Sequence, residues 1–353
     1  MESSHKKAPP PSQLSRMLQV AARAPLSLST SNQPHALLPT GNSVPLASEA
    51  FYTWISLALA ENGFHPGASQ LGHLIRQLDA EAHLTNRFES IHLRSLKTAP
   101  ESYKFDLATP SCEVIELTSK GWSITSDFDT RFFRPDGSIP FPHPDRIKNK
   151  FHDCLEKLLH LPSEKAKLLA TWCIHALLPD KTPPPLIITG KERLDATAKL
   201  RALLDPAMCP MQLVPSTTQK LVRLALTNKV MVFNLNDDLT KKKIKTLNSL
   251  RTGLLVELKQ MSKHRDPVTY IVQRPVIITA EEAPEIHAEQ LAIEVNETGM
   301  VDIAQLFAAL LTAASKAIPN LEAKPKAILE LQRSAPNTEG PQISEPDPQD
   351  PGP

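Results

Sequence analysis

The sequence of 353 residues is poor in aromatic side chains and carries almost no net charge. Aromatic residues make up 5% of the chain, and the formal net charge is +1. A near-neutral chain excludes a whole-molecule electrostatic attraction to nucleic acid or to an acidic surface, so any such surface must be local. The apolar content of 41% is nevertheless enough for a hydrophobic core, and the length allows two modest domains.

Cysteine clusters, metal-ligand motifs and long apolar runs are also absent. The four cysteines form no C-x-x-C pair, which argues against a zinc site or a disulfide framework and favours a reducing compartment. No H-E-x-x-H motif occurs, and no run of about 18 apolar residues or apolar N-terminal leader is present. The sequence therefore predicts a soluble, cytoplasmic protein with no bound metal and no membrane partner.

Composition and periodicity divide the chain into five parts. Residues 1–47 are rich in Pro and Ser and are predicted to be disordered, apart from one short helix. Residues 48–130 combine two helical patterns with short strands, which predicts a small α+β module, and the Pro-rich residues 131–143 form a connector. Residues 144–325 alternate strands with helices, the pattern of an α/β domain with a parallel sheet. Residues 326–353 are acidic and Pro-rich, which predicts a disordered tail.

A strand, a glycine and a helix-forming run follow one another at 186–200, and the P-loop pattern G-x-x-x-x-G-K-[ST] aligns there without a gap. Gly190 takes the first position and Thr197 the last, but Asp195 replaces the second glycine and Ala196 replaces the lysine. In P-loop enzymes the loop N–H groups cradle the phosphates and the lysine bridges them. We therefore expect Asp195 to repel phosphate and Ala196 to supply no charge, while Thr197 retains a hydroxyl for Mg²⁺.

A plainer interpretation of the same stretch is an ordinary strand–turn–helix junction, which α/β domains contain often. Lys191 and Lys199 supply cations nearby, but each lies at the wrong offset to point into the loop. The choice between the two interpretations depends on the flanking sequence.

The flanking sequence resembles a group of ATP-binding proteins from prophages and integrative elements. These are AAA+-like ATPases with helicase character that often lie beside primase modules or are fused to them. The resemblance runs from about residue 48 to residue 324, and its strength lies in the order and spacing of several short segments. Those segments are 113–124, 131–135, 161–163, 200–206 and 274–278.

The resemblance implies further site positions, and this chain departs from the family at each of them. Asn234 ends the strand that resembles a Walker B strand, where an acidic residue would orient Mg²⁺. Thr279 stands where the family usually has a polar Asn sensor, and Gln290 stands where it carries an Arg that contacts the γ-phosphate. Asp237 and Asp238 are alternative carboxylates, although capping of the next helix is the simpler role for them. Four altered positions predict negligible ATP hydrolysis.

A basic stretch between residues 241 and 265 is the candidate nucleic-acid surface. A phosphate-binding strip needs such clustering, but no aromatic side chain lies between the cations, so base stacking is not expected. A solvated helix face and loop would explain the same composition. The basic residues of this stretch are Lys241, Lys242, Lys243, Lys245, Arg251, Lys259, Lys263 and Arg265.

The sequence thus predicts a P-loop NTPase-like (AAA+/helicase-like) α/β fold with degenerate Walker motifs. The favoured function is a binding or scaffold role in the replication or transfer of a mobile genetic element, with DNA, primase or other replication proteins, or further copies of this chain as partners. No cofactor is expected, or ATP with Mg²⁺ if the site retains binding. Two alternatives stay open: an ATP-dependent motor on DNA that uses non-standard residues, and a protein that binds nucleotide without turnover.

Overall fold

The computed structural model describes residues 12–30, 32–145, 149–215, 217–235, 240–258, 268–286 and 289–321. In the described chain, three helices and a small sheet come first, an antiparallel meander follows, and a parallel sheet with flanking helices completes the fold. Within these residues no helix is long and apolar enough to cross a membrane.

The N-terminal part packs three helices against a four-stranded sheet of order β3-β2-β1-β4. Its core contains Phe51, Ile55 and Leu74, which pack with Val44 of the sheet. The elements are α1 (Gln13–Ala21), β1 (Leu26–Ser29), β2 (Pro34–Leu37), β3 (Ser43–Pro45), α2 (Glu49–Glu61), α3 (Ala68–Thr85) and β4 (Phe88–Glu89).

The prediction of disorder for residues 1–47 is therefore wrong for residues 12–30 and 32–47, whereas residues 1–11 and 31 lie outside the described residues. The short helix expected there is present as α1, whose N-cap Ser12 accepts a hydrogen bond from the backbone N–H of Ser15. Prolines do not prevent the sheet because Pro34 begins β2 and Pro45 ends β3, where strands tolerate them. Of the few apolar side chains between these prolines, those of Ala36, Leu38 and Val44 are buried.

The middle of the chain is an antiparallel meander of order β6-β7-β8-β9, with a separate parallel pair formed by β5 and β10. The bounds are β5 (Ile91–Leu93), β6 (Ser95–Ala99), β7 (Ser102–Asp106), β8 (Glu113–Thr118), β9 (Gly121–Ser126) and β10 (Arg131–Phe133). The connector predicted at 131–143 thus begins with a paired strand. The module predicted at 48–130 is divided between two cores, because α2 and α3 pack with the N-terminal sheet whereas Phe105 and Ile115 of the meander belong to the core of the following domain.

The C-terminal part contains a five-stranded parallel sheet of order β12-β13-β16-β11-β17. Its elements are α4 (Phe151–Leu159), α5 (Ser163–Leu177), β11 (Leu186–Thr189), α6 (Arg193–Leu204), β12 (Gln212–Leu213), α7 (Thr218–Thr227), β13 (Met231–Asn234), α8 (Lys241–Thr252), β14 (Leu254–Leu258), β15 (Val268–Val272), β16 (Val276–Thr279), β17 (Leu291–Glu294) and α9 (Ile303–Leu321). Strands β14 and β15 form a separate antiparallel hairpin.

Both faces of the parallel sheet are covered, which explains why its strands are continuously apolar. Leu186 and Ile188 of β11 face the core that contains Trp172 and Phe307, from α5 and α9. Ile187, between them, faces the opposite core, to which α7 and α8 contribute. This arrangement confirms the predicted α/β class, a parallel sheet with flanking helices, and places β11 between β16 and β17.

A buried histidine gives the fold a predictable response to acid. His35 in β2 is 6% exposed, and burial lowers its pKa from 6.5 to about 4, with a smaller opposing effect from a backbone hydrogen bond to Ser43. Between these two pH values the unfolded chain binds more protons than the native one. Above pH 6.5, His35 therefore causes no loss in the free energy of unfolding. As the pH falls toward 4, His35 lowers the free energy of unfolding by on the order of 3 kcal/mol, because only the unfolded chain takes up the proton. His175 in α5 shifts in the same direction, also to about 4.

Urea denaturation at several pH values across this window measures the effect. We expect His35→Gln to lower stability at neutral pH but to make the decline on acidification clearly shallower than in the wild-type protein. The control His65→Gln replaces an exposed histidine and should leave the pH dependence unchanged. An identical decline in the wild type and in His35→Gln would contradict the assignment.

Candidate functional site

The strand–turn–helix junction that aligns with a P-loop lies at the carboxyl edge of the parallel sheet. Strand β11 ends at Thr189, Gly190 makes the turn, and α6 begins at Arg193. In open parallel sheets this edge, beyond the strand ends, is where ligands ordinarily bind. Here residues 295–299, which follow β17, lie directly against the turn; we call them the closing segment.

Gly190 is required by both its backbone conformation and its surroundings. Its φ is +97°, in the region that side chains disfavour. A Cβ at this position would lie 2.7 Å from the carbonyl carbon of Val295 and closer still to the carbonyl oxygen. The N–H of Val295 in turn donates to the carbonyl of Thr189, at 2.8 Å. The glycine therefore allows the closing segment to pack against the turn, where a P-loop would instead admit phosphate.

The closing segment also occupies the backbone donors of the turn. The N–H of Glu192 donates to the carbonyl of Val295, at 3.0 Å, and the N–H of Lys191 donates to Oδ1 of Asn296, at 3.3 Å. Free N–H groups of this kind form the anion-binding cradle of a P-loop. In this protein those two donors are already satisfied by the chain itself.

Asp195 lies inside α6 and is held by two polar neighbours. Its carboxylate accepts a hydrogen bond of 2.5 Å from the Thr298 hydroxyl and pairs with the Lys199 ammonium at 2.6 Å. The hydrogen bond from Lys199, followed by that from Thr298, lowers the pKa of Asp195. Lys199 also donates to the carbonyl of Gly299, at 3.1 Å. These bonds anchor the closing segment to α6 and maintain a negative charge where the pattern would have glycine.

The next two positions of the motif are buried in the helix. Ala196 and Thr197 are both 0% exposed. The Thr197 hydroxyl donates to the carbonyl of Arg193, one turn earlier, at 2.7 Å. The expectation that Thr197 offers its hydroxyl to Mg²⁺ is not met, because α6 begins two residues before Asp195 and carries Thr197 into the core.

The ends of β13 and β16 bring two of the predicted site positions together. The Thr279 hydroxyl donates to Oδ1 of Asn234 at 3.2 Å, and Thr279 is fully buried. This pair carries no formal charge, so it supplies no anionic ligand for a divalent cation. Asp237 and Asp238, the alternative carboxylates, lie outside the described residues.

Gln290 precedes β17 and bonds to nearby backbone instead of to Asn234 or Thr279. Its side-chain oxygen accepts from the N–H of Ile286 and its nitrogen donates to the carbonyl of Pro284, each at 2.8 Å. Gln290 therefore bonds to the backbone of Pro284 and Ile286.

Sequence reasoning missed the side chains that close the site. Asn296 and Thr298 are about one hundred positions from the loop in the chain, so no local spacing could reveal their contacts with it. Arg193 was also missed; its guanidinium donates to the carbonyl of Gly190, at 3.3 Å, and pairs with Glu281 at 3.2 Å. The Arg193 guanidinium beside the turn is thus engaged with a carboxylate.

The basic stretch is described only in part. Lys245 is exposed on α8, whereas Arg251 pairs with Glu289 at 3.6 Å and is half-buried. Lys241, Lys242 and Lys243 form the first turn of α8, but the structure describes nothing of their side chains. Lys259, Lys263 and Arg265 lie outside the described residues.

A cavity of about 980 Å³ lies away from the candidate site, between the turn that joins β8 to β9 and one face of α9. Lys120, Trp122, Thr312 and Lys316 contribute to its lining, and the Trp122 indole donates to the Thr312 hydroxyl at 3.1 Å. The junction at Gly190 contributes no residue to this cavity. Among the described residues, no group of three His, Cys, Asp or Glu side chains is arranged to hold a metal ion.

No protein-family model matches the chain, and no curated protein matches it. Solved structures resemble it distantly. One is the apo C-terminal region of NrS-1, with 9% identity and a TM-score of 0.42 over 87% of this chain and 68% of that one. Another is the active helicase Cch of SCCmec type IV, with 12% identity and a TM-score of 0.37 over 88% of this chain and 61% of that one. A third is JCV helicase, with 14% identity and a TM-score of 0.24 over 53% of this chain and 71% of that one. At such values the similarities carry no argument about individual residues or activity.

Proposed function

We propose that this protein is a catalytically degenerate P-loop ATPase-like protein that acts as a binding or scaffold component in the replication or transfer of a mobile genetic element. The observation that carries the proposal is the closed turn at Gly190. Its N–H donors at Lys191 and Glu192 are bonded to the closing segment, and Asp195 is fixed there by Thr298 and Lys199.

The altered positions support the same proposal because they affect different parts of one site. Ala196 brings no cation for the phosphates, and the pair of Asn234 with Thr279 brings no carboxylate for Mg²⁺. Loss of a single charge-stabilising group commonly costs about 10²–10³ in rate, so several such losses leave little for catalysis. A protein that keeps this fold but does not hydrolyse ATP would act by binding other molecules.

The basic sequence at the start of α8 supports DNA as one partner. Lys241, Lys242 and Lys243 begin α8, and Lys245 is exposed one turn later. Cations that contact phosphates release counterions, and the affinity then falls steeply with salt. The resemblance to primase-associated proteins supports the further proposal that replication proteins of the same element, or additional copies of this chain, assemble with it.

Replacing Lys241, Lys242 and Lys243 together by Gln tests the DNA-binding role. We expect weaker binding to DNA oligonucleotides in fluorescence anisotropy. A plot of log affinity against log salt should also be shallower, by about one for each phosphate that the variant no longer neutralises.

A matched triple variant, Lys120→Gln with Lys165→Gln and Lys220→Gln, changes the net charge equally at exposed positions elsewhere. It should retain the wild-type affinity and salt dependence. Equal DNA affinity and equal salt dependence in the two triple variants would exclude α8 as the DNA-binding surface.

A further inference from the structure

A second, smaller cavity has a lining rich in cations. It measures about 230 Å³ and lies where β5 and the start of β6 meet the end of α5, the residue Lys229 before β13, and residues 273–275 before β16. Three cationic side chains, Lys181, Lys229 and Arg274, line it together with His92, and none of its lining residues is acidic. A cavity with this balance of charge favours an anion.

Two of the three cations, Lys229 and Arg274, donate to backbone carbonyls, which orient them without neutralising them. The Lys229 ammonium donates to the carbonyl of Leu177, at the C-terminal end of α5. Arg274 donates through Nε to the carbonyls of Ala225 and Asn228, at 2.8 and 3.0 Å, near the end of α7. Helix C-termini attract cations in this way, so capping accounts for where the side chains lie. It does not account for the excess of positive charge.

Neighbouring carboxylates are already engaged with other cations. Asp205, the buried carboxylate behind Lys229, pairs with Arg201 at 3.3 Å and with Arg94 at 3.6 Å. Asp180 approaches Lys181 only to 3.9 Å and pairs more closely, at 2.9 Å, with Lys97. Asp205 also attracts Lys229 and Arg274, but one carboxylate is then shared among four cations, so positive charge stays in excess around the cavity within the described residues.

The donors needed for an oxyanion are present. Arg274 donates through Nε and Nη1 to carbonyls, while its Nη2 makes no hydrogen bond to any described residue. Lys229 is buried, and burial lowers its pKa to about 7; attraction to Asp205 opposes this shift, and repulsion from Arg94 and Arg274 adds to it. Binding of an anion would relieve that repulsion, because it would favour the charged form of the amine.

We propose that this cavity binds a small oxyanion of the phosphate class, held by Lys181, Lys229 and Arg274. The size of the cavity supports a single phosphoryl group, because pockets that enclose whole organic ligands measure roughly 300–1,000 Å³. The guanidinium of Arg274 provides planar, charge-assisted donors suited to phosphate oxygens, and the two lysines act as point charges.

Isothermal titration calorimetry with inorganic phosphate, against chloride at equal ionic strength, tests the proposal on the full chain. We expect saturable binding in the wild type and about a tenfold weaker affinity in Lys181→Gln and in Arg274→Gln. The control Lys165→Gln removes an exposed lysine of α5 outside the cavity and should bind like the wild type. Lys181 is partly exposed, so its variant keeps the test valid if the Arg274 variant is unstable.

Titrations with adenosine monophosphate and with adenosine separate the two sources of the phosphoryl group. Monophosphate binding tighter than that of inorganic phosphate would mean that the group arrives on a nucleotide; equal or weaker binding would mean that free phosphate is the ligand. Absence of phosphate binding at millimolar concentration, or an affinity unchanged in Lys181→Gln, would overturn the proposal.

Discussion

Asp205→Ala is expected to destabilise the protein by about 3–5 kcal/mol, because removal of one partner leaves buried cations without a counter-charge. Asp205 is 4% exposed and lies between the guanidinium groups of Arg94 and Arg201. Its carboxylate also accepts hydrogen bonds from the backbone N–H groups of Lys229 and Val230, at 2.7 and 3.1 Å. Truncation would leave two cations and two backbone donors unsatisfied in the interior.

The same carboxylate joins distant parts of the chain. Arg94, which follows β5, donates through Nη2 to the carbonyls of Ile139 and Pro206, at 2.7 and 2.8 Å. Asp205 closes this arrangement from the end of α6 and holds the start of β13. Loss of the carboxylate should therefore weaken the attachment of the segment around β5 to the parallel-sheet domain as well as the domain itself.

Urea denaturation followed by circular dichroism measures how much Asp205→Ala lowers the free energy of unfolding. The matched control is Asp180→Ala, which breaks the partly exposed pair with Lys97 and should cost less than about 1 kcal/mol. Asp205→Asn, which keeps the shape and one acceptor, should fall between the two. A loss below about 1 kcal/mol for Asp205→Ala would show that the buried cations do not depend on this carboxylate.

Gly190→Ala is expected to cost roughly 2–4 kcal/mol and to displace the closing segment. The methyl group would have to share space with the backbone of Val295, at a φ of +97° that disfavours any side chain. Backbone cannot rotate away as a side-chain tip can, so the contact between the turn and the closing segment must open. Hydrogen exchange at the amides of Lys191 and Glu192 should accelerate as their acceptors withdraw.

Two glycine controls separate the contributions. Gly137→Ala has a φ of +80° and open space around the new methyl group, so it reports the conformational cost alone, about 1–2 kcal/mol. Gly72→Ala lies in α3 with open space and should stabilise the protein by about 0.5–1 kcal/mol. A cost for Gly190→Ala no greater than that of Gly137→Ala would argue against close packing by Val295.

The parallel-sheet domain was largely predictable because its signals are local. The apolar run at 186–189 predicts a strand and is β11. Apolar periodicity predicts helices at 163–178 and 217–226, and α5 and α7 lie within one residue of these bounds. The same periodicity starts the helix after β11 at Ala196, three residues later than α6 begins. Arg193 and Leu194 extend the helix because Glu192 is fixed against Val295, a contact that spacing along the chain does not reveal.

The N-terminal sheet was not predictable from composition, because prolines at strand ends resemble the prolines of a disordered segment. Pro34 and Pro45 bound strands whose few apolar residues become a core only when α2 and α3 pack on them. The replaced motif residues of the site were predictable from the sequence, but the packing of the closing segment against the turn was not. Asp195 and Ala196 are visible in the motif, whereas the partners Asn296 and Thr298 come from a segment far along the chain.

Titration of the purified protein with ATP and Mg²⁺ in a calorimeter, with phosphate release measured on the same samples, tests the closed turn most directly. If the donors of Lys191 and Glu192 stay bonded to the closing segment and Asp195 keeps its charge at the turn, millimolar ATP should produce no saturable heat and no rise in melting temperature in Arg274→Gln, the variant that weakens the separate oxyanion cavity. Phosphate release should not exceed that of an Asp195→Ala control. Micromolar binding of ATP that persists in Arg274→Gln, or hydrolysis well above the Asp195→Ala control, would contradict the account.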